Sequence, residues 1–245
     1  MWLGIVAVMA ATSFLSGILG MGGGIILMGV LVLLLPLASA MVLHALTQIA
    51  ANGSRAWLHR KHIHWGVMRW YVLGGLVVLG LFFFLWFEVP KSWFFIGLGT
   101  MALIGNVLPK SLQLDVTRPA QSVVCGALVT GGQLFVGVAG SLLDLFFIHA
   151  KLNRYQVVAT KAVTQTSGHL MKLTFYGSLV LSQPEALGIP VWVYVAVIPA
   201  AFLGTRLGAE VLHRLDDQQF RRYTRWVLNG VGVVYITRGV LMLVG

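Results

Sequence analysis

Ten apolar segments follow one another along the chain, separated by short polar links, and this pattern restricts the fold more than any other feature. A helix needs about 20 predominantly apolar residues to cross a bilayer. The segments lie at residues 2–19, 25–35, 40–57, 66–88, 91–108, 119–136, 141–150, 155–181, 189–212 and 222–244. Because 58% of the 245 residues are hydrophobic and only 10% are charged, we predict an all-α, polytopic membrane protein with one transmembrane domain, residues 1–245. The expected location is a plasma membrane or a bacterial inner membrane.

Two of these segments, 25–35 and 141–150, are too short to cross a bilayer alone. Each follows a glycine-rich stretch, GMGGG at 20–24 and GVAG at 137–140. We interpret both stretches as breaks in which the helix is unwound. Each break with its flanking segments then forms a pair of half-helices, and the second half-helix is predicted to run from Gly24 to Leu35 in one pair and from Ser141 to Ala150 in the other.

The two breaks belong to an internal repeat. When the chain is shifted along itself by 117 residues, residues 19–52 align with 136–169 without a gap. This alignment matches glycines of the two breaks and the Thr-Gln dipeptides at 47–48 and 164–165. The order of elements also repeats, as a broken pair followed by three long helices. We therefore predict a first repeat at residues 1–110 and a second at 119–245.

Basic residues indicate how the two repeats are oriented, because Lys and Arg collect in cytoplasmic loops. The links at 55–69, 109–118, 151–154 and 206–225 all carry them. All four links can be cytoplasmic only if the repeats are inverted, whether each broken pair is re-entrant or fully spanning. Inverted repeats with interrupted helices are typical of secondary transporters. The excess of 17 Lys and Arg over 7 acidic residues is assigned to these loops, so no nucleic acid is expected as a partner.

The glycine breaks suggest an anion site. An unwound turn exposes backbone N–H groups at the start of the following half-helix, where they need an acceptor. An anion provides one, and the helix dipole favours negative charge at that end. The predicted donors are Gly22, Gly23, Gly24, Gly140 and Ser141. Glycines at other places are expected to allow close helix packing, namely Gly74, Gly75, Gly204 and Gly208.

A polar stripe follows each break. The first stripe is His44, Gln48, Asn52 and Arg55, and the second, at the same offset of 117, is Lys161, Gln165, His169 and Lys172. Residues three or four apart share one helix face, and such side chains inside a membrane usually line a site. The predicted substrate-binding side chains are therefore Gln48, Asn52, Arg55, Thr164, Gln165, His169 and Lys172.

In this prediction Gln48 and Gln165 orient the anion, while Arg55, His169 and Lys172 balance its charge. Two alternatives stay open. His44, Arg55 and Lys161 lie near segment ends and could reach the interface instead. Thr47 and Thr164 could bond to their own helices.

Asp144 is the one acidic residue inside a half-helix. We interpret it either as an ion-coupling group or as the salt-bridge partner of Lys172. The cluster His59, His62 and His64 has no strong metal-ligand spacing, and we assign it to an ordinary cytoplasmic loop. No metal and no cofactor are expected. A membrane redox or enzyme subunit that uses histidines, and an accessory subunit without transport, are the alternative functions.

Three stretches resemble one known family. SGILGMGGGIIL at 16–27, its degenerate copy VGVAGSLL at 136–143 and PAAFLGTRLGAEVLHRLDDQQFRR at 199–222 are similar to the sulfite exporter TauE/SafE family of two-halved membrane permeases. The resemblance covers essentially the whole chain. It implies transport, without enzyme activity, of a small sulfur-containing or organic anion such as sulfite or a sulfonate, coupled to an ion gradient. The implied partners are this anion and the lipid bilayer, and a homo-oligomer is left open.

Overall fold

The computed structural model describes residues 1–19, 22–85, 89–107, 114–182, 189–212 and 216–244. Within these residues the chain forms ten α-helices, one 3-10 turn at Arg60–His62 and no strand, so the all-α prediction is confirmed. The helices are α1 (Trp2–Leu19), α2 (Gly22–Leu34), α3 (Leu37–Leu58), α4 (Trp65–Phe84), α5 (Lys91–Val107), α6 (Pro119–Val136), α7 (Gly140–Phe147), α8 (Arg154–Ser182), α9 (Val191–Leu212) and α10 (Asp217–Val244).

The second predicted break is confirmed, because α6 is capped by Gly137 with a left-handed φ of 81° and α7 begins at Gly140. At the first break, Gly20 and Met21 lie outside the described residues. The predicted unwound run is wrong for Gly22 and Gly23, which begin α2, whereas Gly24 is helical as predicted.

The helical state of these glycines has a packing reason. A Cβ on Gly23 would collide with the carbonyl of Thr12 and with Ser16 on α1. Gly23 therefore allows α2 to pack closely against α1, while the helical state keeps backbone groups paired inside apolar surroundings.

Among the described residues, four helical segments are long and apolar enough to cross a membrane: Trp65–Phe84, Pro119–Val136, Val191–Leu212 and Arg222–Val244. Helices α3 and α8, with 22 and 29 residues, are long enough but carry the polar stripes. Helices α2 and α7 have 13 and 8 residues, or about 20 Å and about 12 Å at 1.5 Å per residue. Both are shorter than the hydrocarbon core of about 30 Å, as predicted. The chain is a membrane protein.

The long helices pair in a regular pattern: α1 packs along α9, α4 along α6, α3 along α8 and α5 along α10. If α6–α10 are second copies of α1–α5, the first two pairs are equivalent and the last two are self-pairings. This is the pattern that a two-fold relation between the halves requires. The inverted orientation of the repeats stays a prediction, and Lys110 and Arg214, which contribute to it, lie outside the described residues.

Glycines bring the paired helices close together. A Cβ on Gly204 or Gly208 of α9 would collide with the backbone of α1, and one on Gly74 of α4 would collide with the carbonyl of Val123 on α6. A Cβ on Gly75 would lie 2.7 Å from Oγ1 of Thr130 and 2.8 Å from Sδ of Met171. The predicted packing role of these four glycines is confirmed, since small residues allow close backbone approach between membrane helices.

Candidate functional site

A cleft of about 450 Å³, its open mouth included, lies where the two breaks meet α3 and α8. It is lined by Ser16, Gly24, Ile25, His44, Gln48, Ala51, Asn52, Arg55, Gln133, Val138, Ala139, Gly140, Gln165 and His169. Both breaks and both polar stripes contribute to this one space. Pairing of α3 with α8 and packing of α2 and α7 on neighbouring helices bring them together.

Most of the predicted site residues meet at this cleft. Those that line it are Gly24, Gln48, Asn52, Arg55, Gly140, Gln165 and His169. Those that do not line it are Gly22, Gly23, Ser141, Thr164 and Lys172. A role in binding stays a prediction for all of them.

The polar lining of the cleft suits a negative charge. Among the described residues that line it, the charged side chain is the guanidinium of Arg55, and none is an Asp or a Glu. Gly24 lies in the first turn of α2 and Gly140 is the first residue of α7. The first N–H groups of a helix have no partner within it and lie at the positive end of its dipole. Two such ends therefore meet beside Arg55.

A buried hydrogen-bond chain connects the two breaks behind this lining. The side chain of Lys172 is fully buried, and its Nζ donates to the carbonyl of Gly137 at 3.0 Å and contacts Nδ1 of His44 at 2.8 Å. Nε2 of His44 lies 3.0 Å from the carbonyl oxygen of Gly24. These hydrogen bonds therefore connect α2 through α3 and α8 to the end of α6.

The partners of His44 fix its tautomer. A carbonyl oxygen only accepts, so Nε2 of His44 carries the hydrogen that it donates to Gly24. Nδ1 is then the acceptor of the bond from Lys172. Because His44 is fully buried, the alternative in which it reaches the membrane interface is wrong. Lys172 lies behind the lining and contacts His44, which itself faces the cleft.

Two buried polar atoms of lining residues have no hydrogen-bond partner within the described part of the protein: Oε1 of Gln133 and Nδ1 of His169. The ring of His169 also packs edge-on to that of His44, with centroids 5.5 Å apart. Sequence reasoning missed Gln133, as well as Ser16 on α1. The available signal for Gln133 was an amide four residues before Gly137 in an otherwise apolar segment.

Asp144 does not pair with Lys172, which corrects one of the two interpretations of this residue. Its carboxylate forms an ion pair with Lys161, and both side chains are about one-third exposed, at 31% and 28%. Lys161 precedes Lys172 by 11 residues on α8, or about 16 Å along the axis. An ion-coupling role for Asp144 stays a prediction.

The hydroxyl groups of Thr47 and Thr164 donate hydrogen bonds to their own helices, which confirms the alternative prediction for these two residues. Thr47 donates to the carbonyl of Leu43 at 2.8 Å and Thr164 to that of Lys161 at 2.9 Å. The Oγ of Ser141 is buried and unpaired among the described residues. It lies next to the cleft residue Gly140 but does not line the cleft.

Two of the three loop histidines, His62 and His64, have structural partners. Nδ1 of His64 accepts from the backbone N–H of Val67 at the start of α4, and the ring of His62 stacks on Tyr155. Across the residues that the structure describes, no group of three or more His, Cys, Asp or Glu side chains is arranged to hold a metal ion.

Comparison with known proteins agrees with this architecture. A model of the family described as sulfite exporter TauE/SafE matches residues 5–235, a range that begins in α1, ends in α10 and includes every residue of the cleft. No curated protein and no solved structure matches the sequence. The chain therefore belongs to the sulfite exporter TauE/SafE family of membrane transporters.

Proposed function

We propose that the protein is a secondary transporter that moves a small sulfur-containing or organic anion, such as sulfite or a sulfonate, and that an ion gradient drives it. One observation carries the proposal: the polar side chains that line the cleft in the described part of the protein include amides, imidazoles and a guanidinium but no carboxylate. Family membership gives the transporter class. The cleft chemistry supports the charge of the cargo.

The lining divides the binding task among its groups. N–H groups at the starts of α2 and α7 donate to the oxygens of the anion. Gln48 and Gln165, one from each stripe, provide further neutral donors across the cleft, and Asn52 donates to the Oε1 of Gln48 at 3.3 Å. Arg55 supplies the positive charge, because a guanidinium forms charge-assisted hydrogen bonds with oxyanions.

The apolar part of the lining indicates the size of the cargo. Ile25, Ala51 and Val138 lie beside the polar groups. A small oxyanion, or a sulfonate with a short carbon chain, can place its oxygens on the donors and its carbon atoms against these side chains. A long-chain anion finds too little apolar surface there, and the single guanidinium of the described lining favours a singly charged form such as hydrogen sulfite or a sulfonate.

Anion counterflow in proteoliposomes tests the proposal. Vesicles that contain the purified protein are preloaded with unlabelled sulfite, and entry of labelled sulfite is followed. We expect accumulation that methanesulfonate inhibits and that the uncharged analogue dimethyl sulfone does not. If no anion in a panel of sulfite, sulfonates and carboxylates is exchanged, the transport proposal is wrong and an accessory subunit is favoured.

The variant Gln165→Leu tests whether the anion binds in the cleft. Gln165 lines the cleft, so this variant should insert normally and lose counterflow. Gln218→Leu is the matched control, because Gln218 is exposed near the start of α10, and it should transport like the wild type. Unchanged counterflow in Gln165→Leu would show that the anion binds elsewhere. An absorption spectrum and metal analysis of the same preparation test the redox alternative.

A further inference from the structure

We propose that Lys172 takes up one proton when the anion enters the cleft, so that anion and proton are carried together. The inference rests on the proposed function and names its coupling ion and the residue that holds it. Three features of the structure support it: the acceptors around Lys172, its distance from any carboxylate and its contact with a cleft residue.

The acceptors around Lys172 match a neutral amine. Among the described residues, the Nζ atom has two hydrogen-bond partners, Nδ1 of His44 at 2.8 Å and the carbonyl of Gly137 at 3.0 Å. A neutral amine has two N–H groups, whereas an ammonium has three. A third hydrogen would lack an acceptor among these residues at a fully buried position, and an unsatisfied buried donor is unfavourable. The protein therefore completes the bonding of the neutral form.

The protein also supplies no negative charge beside Lys172. Among the described residues, no carboxylate lies within 4.0 Å of its amine. The two ion pairs that these residues form join Lys161 to Asp144 and Arg118 to Asp115. Its amine contacts an imidazole instead, that of His44 on α3, and the ring of His169 on α8 packs edge-on to this imidazole.

Other titratable or charged groups on the elements that pack against α8 do not change this balance. These groups are Arg55 on α3, Arg69 and Tyr71 on α4, Cys125 on α6, Asp144 on α7 and the basic residues of the 3-10 turn, Arg60, Lys61 and His62. Asp144 is neutralised by Lys161, and the tyrosine and cysteine are uncharged at neutral pH. The remaining groups are cations or imidazoles, which do not stabilise a positive charge on Lys172.

An anion in the cleft would provide the missing charge. His44 both lines the cleft and bonds to Lys172, so one imidazole ring separates the lysine from the space that the anion occupies. Opposite charges at such a separation attract strongly in a protein interior. The anion thus favours the ammonium, one proton moves from solvent to Nζ, and it leaves again when the anion leaves.

This coupling makes anion affinity depend on pH in one direction. The bound state holds one more proton than the free state, so the affinity rises as the pH falls. Where uptake of that proton is complete, the dissociation constant increases about tenfold for each unit of rising pH. An anion that does not titrate, such as methanesulfonate, is required for the measurement because sulfite itself gains a proton near neutral pH.

Calorimetry of the full-length wild-type protein tests the inference. Methanesulfonate is titrated from about pH 6 to about pH 9, in pairs of buffers with different ionisation enthalpies, which counts the protons directly. We expect uptake of about one proton per anion and a tenfold loss of affinity per pH unit in the upper part of the range. This wild-type measurement does not depend on the folding of any variant.

Variants assign the proton to a residue. Lys172→Met removes the titrating group at nearly constant volume and should make the remaining affinity independent of pH. Lys151→Met, which removes an exposed lysine, should keep the wild-type slope. A slope that disappears in Asp144→Asn but persists in Lys172→Met would overturn the assignment.

The two proposals fail in different ways. Binding with the same affinity at every pH and without proton uptake would overturn the coupling inference and leave the anion site in place. Absence of binding for sulfite and for methanesulfonate at every pH would overturn the proposed function, and the coupling inference with it.

Discussion

The amine of Lys172 lies 3.0 Å from the carbonyl oxygen of Gly137, the residue whose left-handed backbone ends α6. A buried side chain of one helix is thus held by the break in another. The shape of the second break and the position of Lys172 depend on each other, and a change in either should affect both stability and transport.

Gly137→Ala should destabilise the protein by about 1–3 kcal/mol, because an L-residue at positive φ is strained. The added Cβ would also lie 2.5 Å from the Sδ of Met28. Thermal unfolding in detergent and counterflow measure the effect. Gly131→Ala in the same helix is the control, since its Cβ would meet Val78 at an ordinary 3.8 Å. Equal melting temperatures for the two variants would contradict the prediction.

His44→Leu should lower stability by about 1–3 kcal/mol for each polar group that it leaves unpaired. It removes the acceptor of Lys172 and the donor to Gly24. Counterflow should fall with it, because the connection between the two breaks is lost. His149→Leu, at an exposed position after α7, should leave both quantities unchanged. A His44→Leu protein with the same melting temperature as the wild type would show that this hydrogen-bond chain has no net stabilising effect.

Gly208→Ala should disrupt the contact between α1 and α9. Its Cβ would collide with the carbonyl of Phe14, a backbone atom that cannot move aside alone. Overpacking of this kind costs about 1–3 kcal/mol. Gly230→Ala on α10 has open space around its Cβ and should be neutral, or stabilising by about 0.5–1 kcal/mol through helix propensity. Comparing the melting temperatures of the two variants separates packing from propensity.

Arg55→Gln should weaken anion binding by about tenfold to a hundredfold, since a hydrogen bond to a charged group contributes about 1.5–3 kcal/mol. Folding should be little affected because Arg55 lines the open cleft. Arg206→Gln removes an exposed guanidinium from α9 and should bind like the wild type. Calorimetric titration with methanesulfonate compares the two, and equal dissociation constants would remove Arg55 from the site.

The helices and the composition of the cleft could be predicted because they depend on local patterns. An apolar run predicts a helix wherever it lies, and α6 spans the predicted 119–136. Residues three or four apart must share a face, so Gln48 and Arg55 reach the same cleft. The glycine run was harder to interpret, since glycines in a close helix contact and glycines in an unwound turn look alike in sequence.

Side-chain partners between helices could not be predicted. Lys161 and Lys172 differ by 11 residues, close to three full helical turns, and thus point in nearly the same direction. Which of them meets Asp144 depends on the height of α7 along α8, and the sequence contains no information about that height. The bond between Lys172 and His44 joins residues 128 positions apart and likewise depends on how α3 and α8 are aligned.

The pairing of α1 with α9 and of α4 with α6 has a consequence for the assembly of the chain. Each half extends an arm onto the other, in the manner of a domain-swapped dimer joined by a linker. Glycines that lie against the backbone of a helix from the other half, such as Gly74 and Gly208, would face lipid in an isolated half. Shallow grooves would then remain on the surface of that half. We therefore expect the two predicted halves to depend on each other for insertion, so that a gene divided between α5 and α6 gives a stable protein only when both fragments are made together.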